Sequence, residues 1–281
     1  ILTETDLVGK ELPQGEMSYV AALDGMTVTL TIDAVIQTLA ENALQLAMYQ
    51  QQPQSARCIV MDVTTGEILA MASKPSVDLN NLPRDDVETL MKYSRNTLVT
   101  DIYEPGSTFK VLTAAACLEE YRKGNPRAFS AEHVFANNSG SRIIDGSKIS
   151  CWTTHANGKH SNQTLSDALN NSCNPIFTDI ALSLGRETMY DYLQKFGYGS
   201  VTGIDFAGEQ AGILMPESAV TRANLARIGF GQTVAVTALQ LACATAAAVN
   251  GGYLMRPYLV KEISDPTTDK TVKRFSPTVQ S

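Results

Sequence analysis

The spacing of apolar residues along this chain switches between the periods of strands and of helices. A period of two over residues 26–32 predicts a strand. Residues 56–63 and 67–72, separated by a Thr-Thr-Gly turn, predict a β-hairpin. Asp33 follows the first strand and is the expected cap of a helix that ends near Tyr49. The first part of the chain therefore combines predicted strands with one helix.

Helical spacing dominates the centre of the chain, and strands are predicted again near its end. The predicted helices cover residues 107–121, 165–184 with an interruption at 171–175, 187–196, 218–228 and 236–250. Residues 124–158, rich in Asn, Ser and Gly, predict loops with short elements. A strand is predicted over residues 253–263, and residues 265–275 predict a turn into a further strand. This order indicates an α+β fold, in which both ends of the chain complete a sheet around a helical centre.

Composition and charge narrow the class of protein. With 281 residues, 44% of them hydrophobic, the chain can bury a core large enough for one big domain or two closely packed ones, and we assign residues 23–281 to one domain. Residues 1–22 are polar and irregular and are expected to be a linker or the remnant of a preceding domain. The net charge of −7 and the pI near 5.0 argue against a nucleic-acid binder. No apolar run reaches the roughly 18–20 residues that span a bilayer, so a membrane anchor is expected only outside this chain.

Cysteine and histidine are common metal ligands, and this chain offers few of them. Three of the five cysteines lie in apolar runs and are predicted core residues: Cys58, Cys117 and Cys243. The three histidines lie in one loop-rich region and are expected at the surface: His133, His155 and His160. Because a zinc site needs more ligands at closer spacing, we expect no metal and no cofactor.

Ser107 and Lys110 are the first candidates for catalysis. They follow a Pro-Gly turn and begin a predicted helix, where residues three apart lie on one face. Lysine can take the proton of a serine hydroxyl when burial or a nearby cation lowers the pKa of the lysine. Backbone N–H groups of the first turn can stabilise an oxyanion. The alternative is a capping serine beside a solvated lysine.

Ser172 and Asn174 are the second pair of candidates. They lie where a helical pattern is interrupted, and such a break exposes polar side chains at the junction of two helices. Ser172 is suited to relay a proton between Lys110 and a leaving amine, and Asn174 to hold a substrate amide. The alternative is an ordinary Asn/Ser capping loop.

Together, Ser-x-x-Lys at 107–110 and Ser-x-Asn at 172–174 resemble the serine penicillin-binding proteins and the related serine β-lactamases. Further segments narrow the resemblance to class B penicillin-binding proteins, the monofunctional peptidoglycan D,D-transpeptidases. These segments are residues 25–33, 62–72, 95–96, 103–110, 229–232, 236–240 and 250–252. The resemblance covers nearly the whole chain.

The resemblance implies an α/β sandwich, with an antiparallel sheet, a helical block and the active site between them. It implies attack on the penultimate D-Ala carbonyl of a stem peptide, release of D-Ala and transfer of the acyl group to an amine of a neighbouring peptide. β-Lactams acylate the same serine. The implied roles are Ser107 as nucleophile, Lys110 as base, Ser172 as proton relay, Asn174 as substrate-positioning amide, and Gly106 and Gln232 as substrate-binding residues.

The resemblance also implies a setting and leaves two alternatives. The setting is the extracytoplasmic face of a bacterial membrane, with an N-terminal anchor outside this chain and a membrane glycosyltransferase complex as partner. One alternative is a β-lactamase or β-lactam sensor, which shares both motifs. The other is a catalytically incomplete scaffold of a cell-wall synthesis complex.

The third motif of the family, Lys-Ser/Thr-Gly, is absent from this chain. Lys270, Thr271 and Val272 match it in two letters, lack its glycine, and are expected to form a surface hairpin. Either the chain stops before this segment, so that the C-terminal part of the fold is missing, or the parent protein lacks it. We expect the first, and we expect the fragment alone to be poorly active.

Cys151 and Cys173 form a candidate redox pair. Cys173 lies between Ser172 and Asn174, and a disulfide there would lock or distort both side chains. Sporulation-type class B members resemble this chain in having cysteines at such places. The alternative is two unrelated thiols.

Overall fold

The computed structural model describes residues 2–3, 7–8, 10, 17–18, 24–136, 138–152 and 160–281. The chain divides into two compact units, one of Ile1–Leu30 with Val260–Phe275 and one of Thr31–Leu259 with Ser276–Ser281. Most of the predicted linker, residues 1–22, lies outside the described residues.

The described residues form helices and antiparallel strands, which confirms the predicted α+β class. The helices are α1 (Ala34–Gln51), α2 (Val87–Tyr93), α3 (Thr97–Thr100), α4 (Lys110–Arg122), α5 (Leu165–Asn170), α6 (Asn174–Leu184), α7 (Arg186–Lys195), α8 (Arg222–Ile228) and α9 (Ala238–Val249). The strands are β1 (Leu2–Thr3), β2 (Met17–Ser18), β3 (Thr27–Leu30), β4 (Ala56–Met61), β5 (Ile68–Lys74), β6 (Ile102–Tyr103), β7 (Ser141–Ile144), β8 (Ser147–Ser150), β9 (Ile213–Leu214), β10 (Val234–Thr237), β11 (Val260–Ser264) and β12 (Thr271–Arg274). All pairings between these strands are antiparallel.

Both ends of the chain contribute to the three-stranded sheet of the first unit. β11 lies in its middle, with β3 on one side and β12 on the other, and β1 pairs separately with β2. Lys270 closes the turn between β11 and β12 by accepting the backbone N–H of Asp265 at 2.9 Å. Thr271 begins β12, whose residues are all exposed. The near match at Lys270 is therefore a surface hairpin, as predicted.

In the second unit, the predicted hairpin is confirmed and packs against α1. Asp33 caps α1 by accepting two backbone N–H groups at 2.9 and 3.0 Å. Ala70 and Ala72 of β5 are small enough to let α1 approach the hairpin, and Ala40 and Leu44 of α1 fill the contact. Because side chains alternate between the two faces of a strand, the alanines at every second position of β5 determine which face of the hairpin α1 covers.

Helix α6 forms the centre of the helical block. Its residues Ile176, Phe177 and Ile180 are fully buried. α4 and α8 both pack against α6. Each such side chain contributes about 1.5–3 kcal/mol through removal of apolar surface from water. The N-terminus of α6, which carries Asn174, is therefore held on a well-packed support.

The predicted helix over residues 236–250 is wrong at its start, because Val234–Thr237 forms strand β10 between β6 and β9. The helix begins only after Thr237. The Thr237 hydroxyl accepts the N–H of Gln240, and the Gln240 carboxamide accepts the N–H of Thr237. This capping box separates strand from helix, and β-branched residues before it favour the strand.

The prediction of short elements within residues 124–158 is confirmed for the described residues. Residues 124–158 include the hairpin β7–β8, whose turn places Asp145 and Gly146 at φ of 47° and 79°. An Asp-Gly pair at positive φ is a common two-residue hairpin turn, and this signal was present in the sequence. The strand predicted over residues 253–263 is limited to β11, since the segment before it makes only isolated bridges to other loops.

Candidate active site

Ser107 lies at the second position of a 3-10 turn, Gly106–Phe109, that continues directly into α4. Gly106 has a φ of 58°, so the chain enters the turn in a conformation that side chains disfavour. The Gly106 N–H donates to the carbonyl of Gly231 at 2.9 Å. Ser107 is exposed. The predicted helix is thus confirmed, with a tighter first turn that presents the hydroxyl to solvent.

Gly231 is required by the close approach of two backbone segments. Its φ is 82°, and a Cβ there would lie 2.1 Å from the Gly106 carbonyl oxygen and 2.6 Å from the Phe109 Cβ. Both neighbours belong to the 3-10 turn that carries Ser107. The absence of a side chain at Gly231 therefore allows the loop before β10 to contact the backbone of this turn directly.

We expect Gly231→Ala to destabilise the fold and to slow acylation of Ser107. The left-handed backbone costs about 1–2 kcal/mol for alanine, and the clash adds about 1–3 kcal/mol. Thermal unfolding measures the loss of stability, and labelling with a fluorescent penicillin measures acylation. Gly124→Ala is the matched control, because Gly124 has a φ of 81° and open space around a Cβ. Equal losses in the two variants would contradict the close-approach argument.

Lys110 is the centre of the polar cluster. Its Nζ donates at 2.8 Å to Ser107 Oγ and at 2.8 Å to Ser172 Oγ. Nζ also lies 2.7 Å from Asn174 Oδ1 and 3.1 Å from the Ser172 carbonyl oxygen. The ammonium group has three N–H donors, so four acceptors compete for it. All four predicted residues are brought together by this one nitrogen.

Lys110 is fully buried although Ser107 is exposed. Its ammonium lies 5.7 Å from the centre of the Phe177 ring. Burial lowers the pKa of Lys110 to about 8, because removal from water disfavours the charged form. The thiols of Cys151 and Cys173 act in the opposite direction. With this pKa, a substantial fraction of Lys110 is the neutral amine near physiological pH, and a general base must be in its unprotonated form to accept a proton.

The predicted helix interruption positions the other two side chains. α5 ends at Asn170 and α6 begins at Asn174, with a proline following in its first turn. Ser172 lies between them with a φ of 52°, an uncommon conformation for a residue with a side chain. This conformation turns both the hydroxyl and the carbonyl of Ser172 toward Lys110.

Asn174 is oriented by a second hydrogen bond. Its Nδ2 donates to the Ser150 carbonyl at 3.2 Å, while its Oδ1 faces Lys110. Ser150 ends β8, so the β7–β8 hairpin takes part in the site. Trp152, two residues further, is 70% exposed and donates its indole N–H to the Asn171 carbonyl at 3.1 Å. The β7–β8 hairpin and Trp152 therefore form hydrogen bonds to Asn171 and Asn174, the residues on either side of the break between α5 and α6.

Gln232 follows Gly231, the residue whose carbonyl contacts the turn that carries Ser107. Its side chain is exposed, and Gly231 beside it accepts the Gly106 N–H. Thr233, the next residue, donates its N–H to the Glu104 carboxylate at 2.8 Å. The segment therefore lies alongside the Ser107 turn, and the substrate-binding role of Gln232 stays a prediction.

Cys151 and Cys173 lie together next to this cluster. Their sulfur atoms are within 4.8 Å of one another, and His160 offers a ring nitrogen within the same distance of both. The described cysteines form no disulfide. The prediction that His160 lies at the surface is wrong, because it is only 8% exposed. His155 lies outside the described residues.

Residues 56–281 match the family model of the penicillin binding protein transpeptidase domain, and the chain belongs to this family. It is 40% identical over 273 residues to stage V sporulation protein D from Bacillus subtilis. It is 30% identical over 243 residues to the peptidoglycan D,D-transpeptidase FtsI from Escherichia coli K12. These alignments cover 97% and 86% of this chain, but only 40% and 38% of the relatives. The predicted resemblance to class B penicillin-binding proteins, including a sporulation-type member, is confirmed.

Solved structures agree with this assignment. Penicillin binding protein 3 from Mycobacterium tuberculosis superposes with a TM-score of 0.81 at 26% identity in its apo form. The match covers 99% of this chain and 62% of that protein. Its complex with aztreonam superposes with the same TM-score at 25% identity. Among the described helices, none is both long and apolar enough to cross a membrane.

Proposed function

We propose that this chain is the catalytic domain of a peptidoglycan D,D-transpeptidase. The observation that carries the proposal is the position of Lys110 Nζ, within 2.8 Å of Ser107 Oγ, Ser172 Oγ and Asn174 Oδ1. This arrangement supplies a nucleophile, a base and a relay at one point. The relatives are named as transpeptidases, and one solved neighbour is complexed with aztreonam, which supports acylation of the same serine by β-lactams.

In the proposed acylation step, neutral Lys110 takes the proton from Ser107 Oγ. The oxygen attacks the carbonyl carbon of the penultimate D-Ala, and the carbonyl electrons move onto its oxygen. We expect backbone N–H groups of this first turn, other than that of Gly106, to stabilise that oxyanion. When the tetrahedral intermediate collapses, the C–N bond breaks and D-Ala leaves. Its nitrogen receives the proton from Lys110 through the Ser172 hydroxyl, which touches Lys110 Nζ at 2.8 Å.

In the proposed transfer step, an amine of a neighbouring stem peptide attacks the acyl-serine. The amine loses a proton through Ser172 to Lys110, and Ser107 leaves as its hydroxyl after regaining that proton. Asn174 is positioned to hold a substrate amide, because its carboxamide is already fixed by Lys110 and Ser150. Ser107 thus returns to its starting state with one peptide bond broken and one formed.

The experiment that tests the function separates transfer from hydrolysis. The purified chain and, where the gene encodes more, the full-length protein are incubated with penicillin, and intact mass is followed over time. A transpeptidase is expected to keep a stable adduct on Ser107 and to release D-Ala from a stem peptide only as cross-linked product forms. Rapid turnover of penicillin would instead support the β-lactamase alternative. Absence of any adduct on the full-length protein would support the scaffold alternative.

The setting of the protein is proposed on the same basis. Peptidoglycan lies outside the cell membrane, so a domain that cross-links its stem peptides acts on the extracytoplasmic face. We infer that a membrane anchor elsewhere in the protein and a glycosyltransferase complex bring it to its substrate. The similarity to stage V sporulation protein D supports a role in spore formation.

Cys151 and Cys173 are proposed as a redox pair that controls the site. Their sulfur atoms lie within 4.8 Å, and a disulfide brings them to about 2 Å. One thiolate attacks a disulfide of an oxidising partner, and the second thiolate displaces that partner, which leaves as a dithiol. Cys173 is the N-cap of α6 and is fully buried. Moving its sulfur therefore displaces Ser172 and Asn174 from Lys110.

Oxidation with diamide is expected to reduce penicillin labelling at least about 10-fold, because a shift of 1 Å in a catalytic group costs up to about 100-fold. Dithiothreitol should restore the labelling. The Cys151→Ser variant should be insensitive to diamide, whereas Cys58→Ser, which removes a thiol on β4, should behave as wild type. Unchanged labelling of a chain whose disulfide is confirmed by mass would contradict the proposal.

A further inference from the structure

Cys151, His160 and Cys173 converge from three separate parts of the chain. Cys151 follows β8, His160 precedes α5, and Cys173 caps α6, yet their three ligand atoms lie within 4.8 Å of one another. Cys173 Sγ and His160 Nδ1 are 3.9 Å apart. We propose that these three side chains bind one Zn²⁺ ion beside the active site when the cysteines are reduced, with a water molecule as the fourth ligand.

The distances match what a zinc ion requires. With Zn–S near 2.3 Å and Zn–N near 2.0–2.1 Å, two ligands at a tetrahedral angle lie about 3.5–3.8 Å apart. The observed 3.9 Å between Cys173 Sγ and His160 Nδ1 is already close to that value. The other separations are at most 4.8 Å, so the side chains need to close by about 1.3 Å or less. Two thiolates and an imidazole are donors that zinc prefers.

The histidine is held with one ring edge toward the sulfur atoms. Gly140 has a φ of 78°, and a Cβ there would lie 2.6 Å from His160 Cδ2 and 2.6 Å from His160 Nε2. That edge of the ring therefore packs against bare backbone, and Nδ1 faces Cys173. The His160 carbonyl accepts the side-chain N–H of Gln163 at 2.9 Å, which fixes the backbone. Such outer contacts orient metal ligands in known sites.

Burial and charge also suit a bound ion. Cys173 and His160 are buried, and Cys151 is half-buried. Asn138 Nδ2 donates to Cys173 Sγ at 3.5 Å, a contact that a thiolate strengthens. One Zn²⁺ displaces two thiol protons to solvent, so two negative sulfurs and a divalent cation leave the net charge unchanged. The site therefore stays compatible with the nearby buried cation of Lys110.

The ion and the disulfide are mutually exclusive uses of the same sulfur atoms. Thiolates bound to zinc are unavailable for disulfide exchange, and the ion fixes Cys173 with Ser172 and Asn174 in the reduced geometry. The zinc site does not depend on the transpeptidase reaction, since binding can be measured without any substrate.

The test is equilibrium dialysis of the reduced, metal-free chain against Zn²⁺, with metal analysis of the protein. We expect one zinc ion per wild-type chain and at least about 100-fold weaker binding in Cys151→Ser, Cys173→Ser and His160→Gln, each of which removes a ligand. Cys58→Ser should bind as wild type. Co²⁺ in place of zinc should show a thiolate charge-transfer band that is absent from the Cys151→Ser/Cys173→Ser double variant.

A second pair of variants tests the geometry without removing a ligand. Gly140→Ala should weaken zinc binding about 10-fold by displacing the imidazole. Gly146→Ala should not, because Gly146 has a φ of 79° and nothing within 4 Å of a Cβ. Thermal unfolding of the metal-free variants shows whether they fold. Zinc binding of equal strength in wild type and in the folded double cysteine variant, or no binding to wild type, would overturn the proposal.

Discussion

Ser107→Ala is expected to abolish covalent labelling by penicillin, with a fall in acylation rate of at least about 10⁴-fold. Loss of a serine nucleophile leaves only the binding and oxyanion contributions of the site, and these form no acyl bond. Ser107 is exposed and lies at the second position of a 3-10 turn, so its methyl replacement should leave the fold unchanged. Fluorescent penicillin labelling followed by gel electrophoresis measures the result.

The control for this variant is chosen from the same type of turn. Ser218 is also exposed and also occupies the second position of a 3-10 turn, Glu217–Ala219. Ser218→Ala should label as wild type, and both variants should unfold at the wild-type temperature. Labelling that survives in a folded Ser107→Ala protein would disprove the assignment of the nucleophile.

The acylation rate is expected to rise about tenfold per pH unit below pH about 8 and to level off above it. The proposed base is the neutral amine of Lys110, and burial lowers the pKa of this group to about 8. Below that pH the fraction of neutral amine falls tenfold for each unit, because more of the group is protonated. Stopped-flow acylation by a chromogenic cephalosporin, measured from pH about 6 to about 9.5, gives this profile.

Lys110→Arg tests the origin of the pH profile. Arginine keeps the charge and the hydrogen-bond donors but does not lose its proton, so the rate should fall about 10²–10⁴-fold and its rise toward pH 8 should disappear. Lys123→Arg, at the other end of α4, is the control. Lys123 pairs with Glu120 at 3.2 Å outside the cluster, and its replacement should keep both rate and profile. A Lys110→Arg protein with an unchanged pH profile would show that another group supplies the base.

Much of the secondary structure was predictable because it depends on local patterns. Asp33 caps α1 as expected, since an aspartate before an amphipathic run satisfies its first N–H groups. The interruption between α5 and α6 was also predictable from its polar residues and proline. Strand β10 was missed because Val234–Thr237 is short and its pairing with β6 and β9 is non-local.

In the candidate site, too, some features depend on local sequence patterns and others on contacts between distant segments. Ser107 and Lys110 were predictable as neighbours, since three residues on a helix separate them. Their contact with Ser172 and Asn174 follows from the packing of α4 against α6, which no local pattern contains. The roles of Gly231 and His160 were missed for the same reason. The position of Gly231 within a resembling segment was the one available signal.

The sequence by itself determined the family, the Ser-x-x-Lys pair proposed as nucleophile and base, and the Ser-x-Asn break, because these are encoded in short motifs and local conformational preferences. The tertiary structure alone decided the burial that lowers the pKa of Lys110, the convergence of four acceptors on its Nζ, and the grouping of Cys151 and Cys173 with His160. These properties depend on desolvation and on distances between segments far apart in the chain. They arise only when the helical block has packed.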